Sequence, residues 1–286
     1  MDKNNTEPKI IRLCTSIVLY RSSHRLYQRT LASLAASLRR AKAESALPIS
    51  VHLICVDNSG LAAAMPKPEQ LLTADEMAQF DEVQHLVPGD NLGFGRGHHL
   101  AIFSCHSEYH LVLNPDVILE ESAIIQAIRF MERRPAVALL SPSAVGHGLE
   151  QLFLCKRYPS LLVLLMRGLG VGALGRKLLP KLDDYEMRDI YGAPLREHPV
   201  ELTSGCFMFT RTESIKGIGG FASCFFVYFE DFDLSLRLAK VAKVVFVPSV
   251  KIMHHGGQCA RKGLLHVVMF MASGYKFFQK NGWRFV

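Results

Sequence analysis

The sequence predicts an α/β fold with a mainly parallel sheet, and three observations lead to this prediction. Short apolar runs alternate with segments of helical periodicity through the first half of the chain. Polar residues follow several of these runs, as they do where parallel strands end beside a ligand crevice. The 286 residues, 49% of them hydrophobic and 21% charged, suit one large domain or two small ones. That composition excludes a disordered or fibrous chain.

The first half is predicted as alternating strands and helices. A helical period is clear where Leu31, Leu34 and Leu38 recur, and Asp, Asn, Gly and Pro residues mark the strand ends. The predicted strands span residues 10–19, 51–56, 83–87 and 109–113, and the predicted helices span 26–43, 97–105 and 122–133.

The second half is less regular. Strands are predicted at 202–209, 244–247 and 250–254, and helices at 230–238 and 264–280. Residues 158–179 are apolar, flanked by basic residues and interrupted by glycines, which is too short a run to span a bilayer. Two interpretations stay open for this segment: a helix lying in a membrane interface, or a buried helix pair under the sheet.

Charge is concentrated at the C-terminal end. The chain has a formal charge of +7, yet nine basic and no acidic residues follow Asp233, which leaves residues 1–233 at about −2. Such a basic end indicates an anionic partner: substrate phosphates, acidic lipid or nucleic acid. A solvated basic face is the simpler alternative, and nucleic acid is disfavoured because no recognition motif accompanies the charge.

The termini and cysteines indicate a cytosolic protein. The polar residues 1–7 do not resemble a secretory signal, and no apolar run reaches the ~18 residues of a membrane span. Seven cysteines are dispersed without a CxxC pair. This pattern predicts reduced thiols rather than a disulfide framework or a zinc site.

Three short motifs carry chemistry. Asn114-Pro115-Asp116 follows an apolar strand, where its carboxylate can bind a hard divalent cation; alone, it is also a good β-turn. Glu230-Asp231 opens a helix, where acidic residues are favoured by the dipole but can also accept a proton from an attacking hydroxyl. His254-His255 ends a strand beside two glycines that permit close approach to a ligand.

Taken together, these motifs resemble the family 2 inverting glycosyltransferases of the GT-A fold, in particular the bacterial rhamnosyltransferase-like enzymes of O-antigen and cell-surface polysaccharide assembly. The resemblance covers roughly residues 10–260. The matching segments are 56–59 (VDNS), 91–97 (NLGFGRG), 113–117 (LNPDV), 204–208 (SGCFM), 219–221 (GGF), 226–233 (FVYFEDFD) with Arg237, and 254–257 (HHGG).

The resemblance implies a nucleotide-diphospho-sugar donor and a divalent cation, Mg²⁺ or Mn²⁺. It implies that Asp231, with Glu230 beside it, is the catalytic base. Asp116 and His254 are implied as the metal site, with His255 as a close alternative to His254. The residues implied in donor binding are Tyr20, Asp57, Asn58, Asn91, Gly93, Arg96 and Asn114.

The resemblance also implies an organisation and a location. Residues 1–260 form the GT-A domain, with a nucleotide-sugar half at 10–120 and an acceptor half at 121–260, followed by a basic helix at 261–286. The donor is expected to be dTDP-rhamnose and the acceptor a lipid-linked saccharide. The enzyme is expected on the cytoplasmic face of the inner membrane, bound peripherally to its anionic surface, with no nucleic-acid partner.

The sequence departs from the family pattern at three places. Tyr20-Arg21 replaces Tyr-Asn, His98-His99 replaces an asparagine, and Ala222-Ser223 replaces two carboxylates near the acceptor pocket.

Two other functions are disfavoured. A sugar nucleotidyltransferase requires a Gly-rich, basic phosphate loop that residues 10–25 lack, and intact Asp116 and Asp231 argue against a non-catalytic glycan- or lipid-binding relative.

Overall fold

A ten-stranded sheet organises the chain, which is represented by a computed structural model describing residues 9–169, 179–192, 196–256 and 264–286. The strands are β1 (Ile11–Leu19), β2 (Ile49–Asp57), β3 (Glu82–Leu86), β4 (Tyr109–Leu113), β5 (Val117–Leu119), β6 (Val137–Val145), β7 (Gln151–Leu152), β8 (Cys155–Lys156), β9 (His198–Pro199), β10 (Leu202–Thr203), β11 (Phe207–Arg211) and β12 (Lys243–His254). The helices are α1 (His24–Glu44), α2 (Pro68–Leu71), α3 (Ala74–Met77), α4 (Phe94–Ser104), α5 (Ala123–Arg133), α6 (Leu161–Leu169), α7 (Leu179–Tyr185), α8 (Thr212–Gly217), α9 (Glu230–Ala239) and α10 (Leu264–Asn281).

The main path of the sheet runs β3-β2-β1-β4-β11-β6-β12-β5. Strands β3, β2, β1 and β4 are mutually parallel, as are β6 and β12, whereas β11 runs antiparallel to both β4 and β6. The predicted α/β class with a mostly parallel sheet is therefore confirmed. The parallel half places the carboxyl ends of β1, β2 and β4 at one edge.

Helices cover both faces of the sheet. The long helices α1 and α5 pack on one face, where Leu31, Leu34, Ile124 and Ile128 are buried in the largest core cluster. Helices α4, α8 and α9 cover the other face. Helix α1 begins two residues earlier than predicted because the Ser23 hydroxyl accepts a hydrogen bond from the Leu26 amide at 3.4 Å.

Some predicted boundaries in the second half were wrong. The predicted strand 202–209 is two strands, β10 and β11, separated by Ser204-Gly205-Cys206. The predicted strands 244–247 and 250–254 are one strand, β12, whose register shifts between Val247 and Lys251 to accommodate Pro248.

The described part of residues 158–179 is mostly buried or half-buried. Val163 and Met166 of α6 pack against Leu182 and Tyr185, whereas Leu165 is exposed. Residues 170–178 lie outside the described part of the chain, as does Gly257. Among the described helices, none is long and apolar enough to cross a membrane.

Candidate active site

The predicted donor residues gather at the carboxyl edge of the parallel strands. Register pairs Leu19 with Asp57, and Ile17 with Leu113, so the residues that follow β1, β2 and β4 leave the sheet side by side. Asp57 is fully buried, and its carboxylate accepts hydrogen bonds from the amides of Ser59 at 2.9 Å and Met65 at 2.5 Å. Asp57 thereby fixes the loop that leaves β2.

Asn58 connects that loop to the glycine loop at residues 91–93. Its side-chain amide donates to the Gly93 carbonyl at 3.0 Å, and its oxygen accepts from the Leu92 amide at 3.3 Å. Within the loop, the Gly93 amide donates to Asn91 Oδ1 at 2.9 Å. Asn58 and Asn91 therefore shape the edge of the crevice through hydrogen bonds to backbone groups.

Gly93 is required by the backbone at the start of α4. Its φ is +77°, in the left-handed region, and a Cβ there would collide with the Phe226 carbonyl oxygen. The same oxygen accepts a hydrogen bond from the Phe94 amide at 3.2 Å. Helix α4 consequently begins at Phe94, three residues before the predicted start.

Tyr20 and Arg96 are exposed near this loop. The Tyr20 side chain is 51% accessible, and the Arg21 amide beside it donates to Ser59 Oγ at 2.8 Å. Arg96 donates from Nε to the Leu92 carbonyl at 2.8 Å. Both side chains are accessible to a ligand at the rim of the crevice.

Asp116 lies against the end of β12. His254 Nε2 is 3.3 Å from Asp116 Oδ1, and the His255 amide donates to the Asp116 carbonyl at 3.0 Å. Burial by itself lowers the pKa of His254, but Cys206 and Asp116 together raise it to about 10. The His255 ring instead lies 5.0 Å from the ring of His147, so His254 is the histidine that faces Asp116.

Gly256 keeps the space beside this pair open. A Cβ at Gly256 would collide with Asp116 Oδ2 and would come within 2.9 Å of His254 Nε2. The carboxylate and the imidazole thus border a small space that any larger residue at this position would fill.

The predicted catalytic pair begins α9. Glu230 is 4% exposed, and burial followed by repulsion from Asp231 raises its pKa well above the ordinary value. Asp231 is half-buried: burial raises its pKa, while hydrogen bonds from the amides of Gly205 at 2.8 Å and Phe232 at 2.9 Å oppose the shift. Of the two carboxylates, Asp231 is the more accessible.

The backbone before α9 is strained. Tyr228 and Phe229 have φ values of +69° and +65°, although neither is glycine. Such conformations are uncommon for bulky residues and cost on the order of 1–3 kcal/mol each, so they persist where surrounding contacts enforce them. Here Phe229 is 4% exposed in an aromatic cluster with Phe277, and that packing fixes the start of α9.

The turn between β10 and β11 brings the two halves of the site together. The Asn114 amide donates to the Cys206 carbonyl at 2.9 Å, and the Gly205 amide donates to Asp231. The Cys206 side chain also interacts with His254, which pairs with Asp116. Asp116 and Asp231 therefore flank one short turn.

Sequence reasoning did not include Gly205 and Cys206 among the candidate site residues. Their signal was a Ser-Gly-Cys interruption inside a predicted strand. Gly205 is necessary because a Cβ would lie 2.9 Å from the Phe94 ring and 3.2 Å from Asp231 Cβ.

Comparisons with known proteins agree with this architecture. No family model matches the chain. It is 25% identical over 253 residues to the N-acetylglucosaminyl-diphospho-decaprenol L-rhamnosyltransferase of Mycobacterium tuberculosis, covering 79% of this chain and 80% of the relative. It is 23% identical over 212 residues to rhamnosyltransferase WbbL of Escherichia coli, covering 70% of this chain and 72% of the relative.

Solved structures share the fold at low identity. The mannosyltransferase PcManGT of Pyrobaculum calidifontis, in complex with GDP-Man and Mn²⁺, superposes with a TM-score of 0.56 at 12% identity over 95% of this chain and 67% of its own. S. aureus TarS gives a TM-score of 0.54 at 12% identity over 95% of this chain, which spans 44% of TarS.

The fold is that of the GT-A glycosyltransferases, and two candidate carboxylates, Asp116 after β4 and Asp231 at the start of α9, flank the turn between β10 and β11. Within that class, the similarity along the chain extends to rhamnosyltransferases from two bacteria. At 23% to 25% identity over 70% to 79% of the chain, this similarity supports a glycosyltransferase of the rhamnosyltransferase-like type.

Proposed function

We propose that this glycosyltransferase moves a sugar from a nucleotide-diphosphate donor to a hydroxyl of a lipid-linked saccharide, inverting the anomeric carbon, during assembly of a cell-surface glycan. The observation that carries the proposal is the position of Asp231 and Asp116 on either side of the turn at Ser204-Gly205-Cys206. One carboxylate can serve the acceptor while the other serves the donor diphosphate.

Asp231 is proposed as the general base. Its two hydrogen bonds hold the carboxylate in place, and its partial exposure gives an acceptor hydroxyl access to it. Asp231 takes the hydroxyl proton as the acceptor oxygen forms a bond to C1 of the sugar. The C1–oxygen bond to the diphosphate breaks on the opposite side in the same step, which inverts the configuration. Glu230, the buried neighbour of Asp231, is proposed to shape this end of α9.

Asp116 and His254 are proposed to hold a divalent cation, Mg²⁺ or Mn²⁺. The residues fit such an ion because a carboxylate and an imidazole face one another beside Gly256, which has no side chain of its own to fill the space. When bound, the cation would supply positive charge against the departing diphosphate. Asn114, before Asp116, is proposed to contact the donor from the same edge.

The donor nucleotide is proposed to occupy the crevice above β1, β2 and the glycine loop. Tyr20 offers an exposed aromatic ring, and Arg96 offers a guanidinium able to approach a phosphate. Asp57, Asn58, Asn91 and Gly93 build the loops around the crevice, and their direct contacts with the nucleotide remain a prediction.

The sugar and the acceptor are proposed from the relatives. Both curated relatives are named as rhamnosyltransferases, and the mycobacterial enzyme is named for a diphospho-decaprenol acceptor. We therefore favour rhamnose as the sugar and a polyprenyl-diphosphate-linked saccharide as the acceptor, and we keep dTDP-rhamnose as the expected donor.

We propose a peripheral membrane location on the cytoplasmic face, and exposed apolar residues on α10 and the C-terminal segment support the contact with a membrane. Leu265, Val268 and Met271 of α10 are between 57% and 70% exposed, and Trp283 and Phe285 are also exposed. Basic residues Lys276 and Arg284 lie nearby in the chain, whereas Lys280 is paired with the buried Asp233 at 2.7 Å. Apolar side chains that insert among the lipid headgroups would hold the enzyme at its acceptor. Each basic side chain near anionic lipid would add about 1 kcal/mol of binding free energy.

The function is tested with a donor panel. Purified enzyme is incubated with an acceptor and dTDP-, UDP- or GDP-sugars, with Mn²⁺ or with excess EDTA, and the product is analysed by NMR. We expect Mn²⁺-dependent transfer from dTDP-rhamnose with inverted configuration. A product with retained configuration refutes the single displacement, and undiminished transfer in EDTA refutes the cation.

The membrane proposal has its own test. The enzyme is sedimented with vesicles containing or lacking anionic phospholipid, in parallel with a variant carrying Leu265→Ser, Val268→Ser and Met271→Ser. The parent should bind anionic vesicles and the variant should bind far less. Equal binding by the two proteins places the membrane contact elsewhere.

A further inference from the structure

A second polar cluster lies beneath α4, at the opposite end of the strands from the active site. Cys14 of β1 is the register partner of His52 on β2 and of His110 on β4, so all three side chains project from the same face of the sheet. Cys105, directly after α4, covers them. The ligand atoms of Cys14, Cys105 and His110 all lie within 4.8 Å of one another.

Each histidine of the cluster has one ring nitrogen close to the side-chain oxygen of a neighbour and a second ring nitrogen that is not in that contact. His110 Nε2 is 2.8 Å from Ser16 Oγ, and His52 Nδ1 is 3.5 Å from a carboxylate oxygen of Glu82. The remaining nitrogens, His110 Nδ1 and His52 Nε2, are buried and have no nitrogen or oxygen partner among the described residues. Both histidines are close enough to Cys105 to interact with its thiol.

This pattern is typical of histidines that bind a metal. A ligating imidazole usually has its second nitrogen held by a hydroxyl, carbonyl or carboxylate, which sets the tautomer and the ring orientation. A buried imidazole nitrogen without a partner is otherwise costly, because it has lost its hydrogen bond to water.

The side chains of the cluster also suit a transition metal by their chemistry. Thiolates and neutral imidazoles are the forms that bind transition metals. Two thiolates would neutralise a divalent ion, which reduces the cost of burying its charge.

We propose that Cys14, Cys105, His110 and His52 form a structural site for a single zinc ion. Two sulfur and two nitrogen ligands are a common tetrahedral set for Zn²⁺, with bond lengths of about 2.0–2.3 Å and ligand atoms therefore about 3.3–3.8 Å apart. The cysteines and His110 reach that geometry through a small inward shift of side chains, and His52, which is not within 4.8 Å of all three, must move further.

The site is separate from the proposed catalytic cation. His110 is the second residue of β4 and lies about 10 Å of strand before its end at Leu113, and Asp116 follows beyond that end. A groove of about 390 Å³, lined in part by His52, Glu82, Cys105 and Ser107, gives a metal a path to the cluster. Zinc there would connect β1, β2 and β4 to the C-terminal end of α4. The N-terminal end of the same helix follows the glycine loop. The four ligands are dispersed along the sequence without a CxxC pair, and they are brought together by the sheet and by the packing of α4 on it.

The experiment measures metal on the full-length protein, expressed without a histidine tag and purified under reducing conditions. Zinc is quantified by mass spectrometry, and the metal-free protein is then loaded with Co²⁺ to record its absorption spectrum. The proposal expects stoichiometric zinc, and a cobalt spectrum with thiolate charge-transfer and tetrahedral bands. Zinc should also raise the melting temperature of the metal-free protein.

Matched variants assign the ligands. Cys105→Ser and His52→Gln should lose the zinc and the cobalt bands, whereas Cys224→Ser, which alters an exposed cysteine, and Asp116→Asn should keep both. A folded parent that binds neither metal overturns the proposal. It is equally overturned if Cys105→Ser retains the full metal content, or if peptide mapping finds Cys14 and Cys105 joined in a disulfide in the parent.

Discussion

Gly205 provides a sharp test of how the site is built, because its amide holds Asp231 while its missing side chain leaves room for that residue. In Gly205→Ala, the new Cβ would lie 2.9 Å and 3.0 Å from two Phe94 ring atoms and 3.2 Å from Asp231 Cβ. Comfortable carbon contacts are about 3.5–4.0 Å, so the neighbours must move by about 0.5–1 Å.

Phe94 has little freedom to move. Its ring packs edge-on against His98 at 4.5 Å and against Phe221 at 5.9 Å between centroids. Part of the displacement therefore falls on Asp231. Overpacking of this size costs about 1–3 kcal/mol of stability, and a misplacement of about 1 Å at a reacting group can lower the rate about 10²-fold.

The assay combines sugar transfer, nucleotide binding and thermal denaturation. We expect kcat to fall about 10²-fold while nucleotide affinity changes little, with a lower melting temperature. The matched control is Gly217→Ala, because Gly217 is exposed at the end of α8 and the new Cβ would meet no neighbouring atom within 4 Å. Parental kcat in Gly205→Ala would refute the proposed role of this turn.

Two further predictions concern stability. Burial next to Asp231 raises the pKa of Glu230. The stability that the protonated carboxyl contributes is fully present below its ordinary pKa of 4.5. As the pH rises from there towards the folded-state pKa, the protein loses this stability by at most about 1.4 kcal/mol per pH unit. Glu230→Gln should therefore melt progressively higher than the parent as the pH rises. Gly97→Ala should destabilise the protein by about 1–3 kcal/mol in denaturant unfolding, because its Cβ would lie 2.7 Å from Val18 Cγ2.

Each stability prediction has a contrary outcome. If the difference in melting temperature between Glu230→Gln and the parent shrinks or stays constant with rising pH, Glu230 is not held neutral by its surroundings. If Gly97→Ala is as stable as Gly217→Ala, then α4 does not pack on β1 as closely as the structure indicates.

The sequence predicted the parallel half of the sheet well because its strands are short apolar runs ending in Asp, Asn and Gly. Strand β6 was missed, since Ser141-Pro142-Ser143 interrupts its apolar pattern. The start of α4 was also missed, because three glycines conceal a helix whose first turn is fixed by the Phe226 carbonyl, a tertiary contact.

The candidate active site was likewise predicted only in part from the sequence. Motifs identified Asp116, Asp231 and His254 as candidates, but they did not indicate that Gly205 and Cys206 connect them. Such contacts depend on β11 running antiparallel between β4 and β6, and local sequence carries no record of that pairing. The cysteine and histidine cluster beneath α4 was invisible for the same reason.

The central claim is that Asp231 acts on the acceptor and Asp116 on the donor diphosphate. The most direct test measures nucleotide binding and sugar transfer separately in Asp231→Asn and Asp116→Asn, with Asp75→Asn, an exposed carboxylate in the first turn of α3, as control. Asp231→Asn should bind nucleotide in Mn²⁺ like the parent and lose transfer by about 10²–10⁴-fold, whereas Asp116→Asn should lose Mn²⁺-dependent nucleotide binding. Transfer at the parental rate by Asp231→Asn would contradict the account.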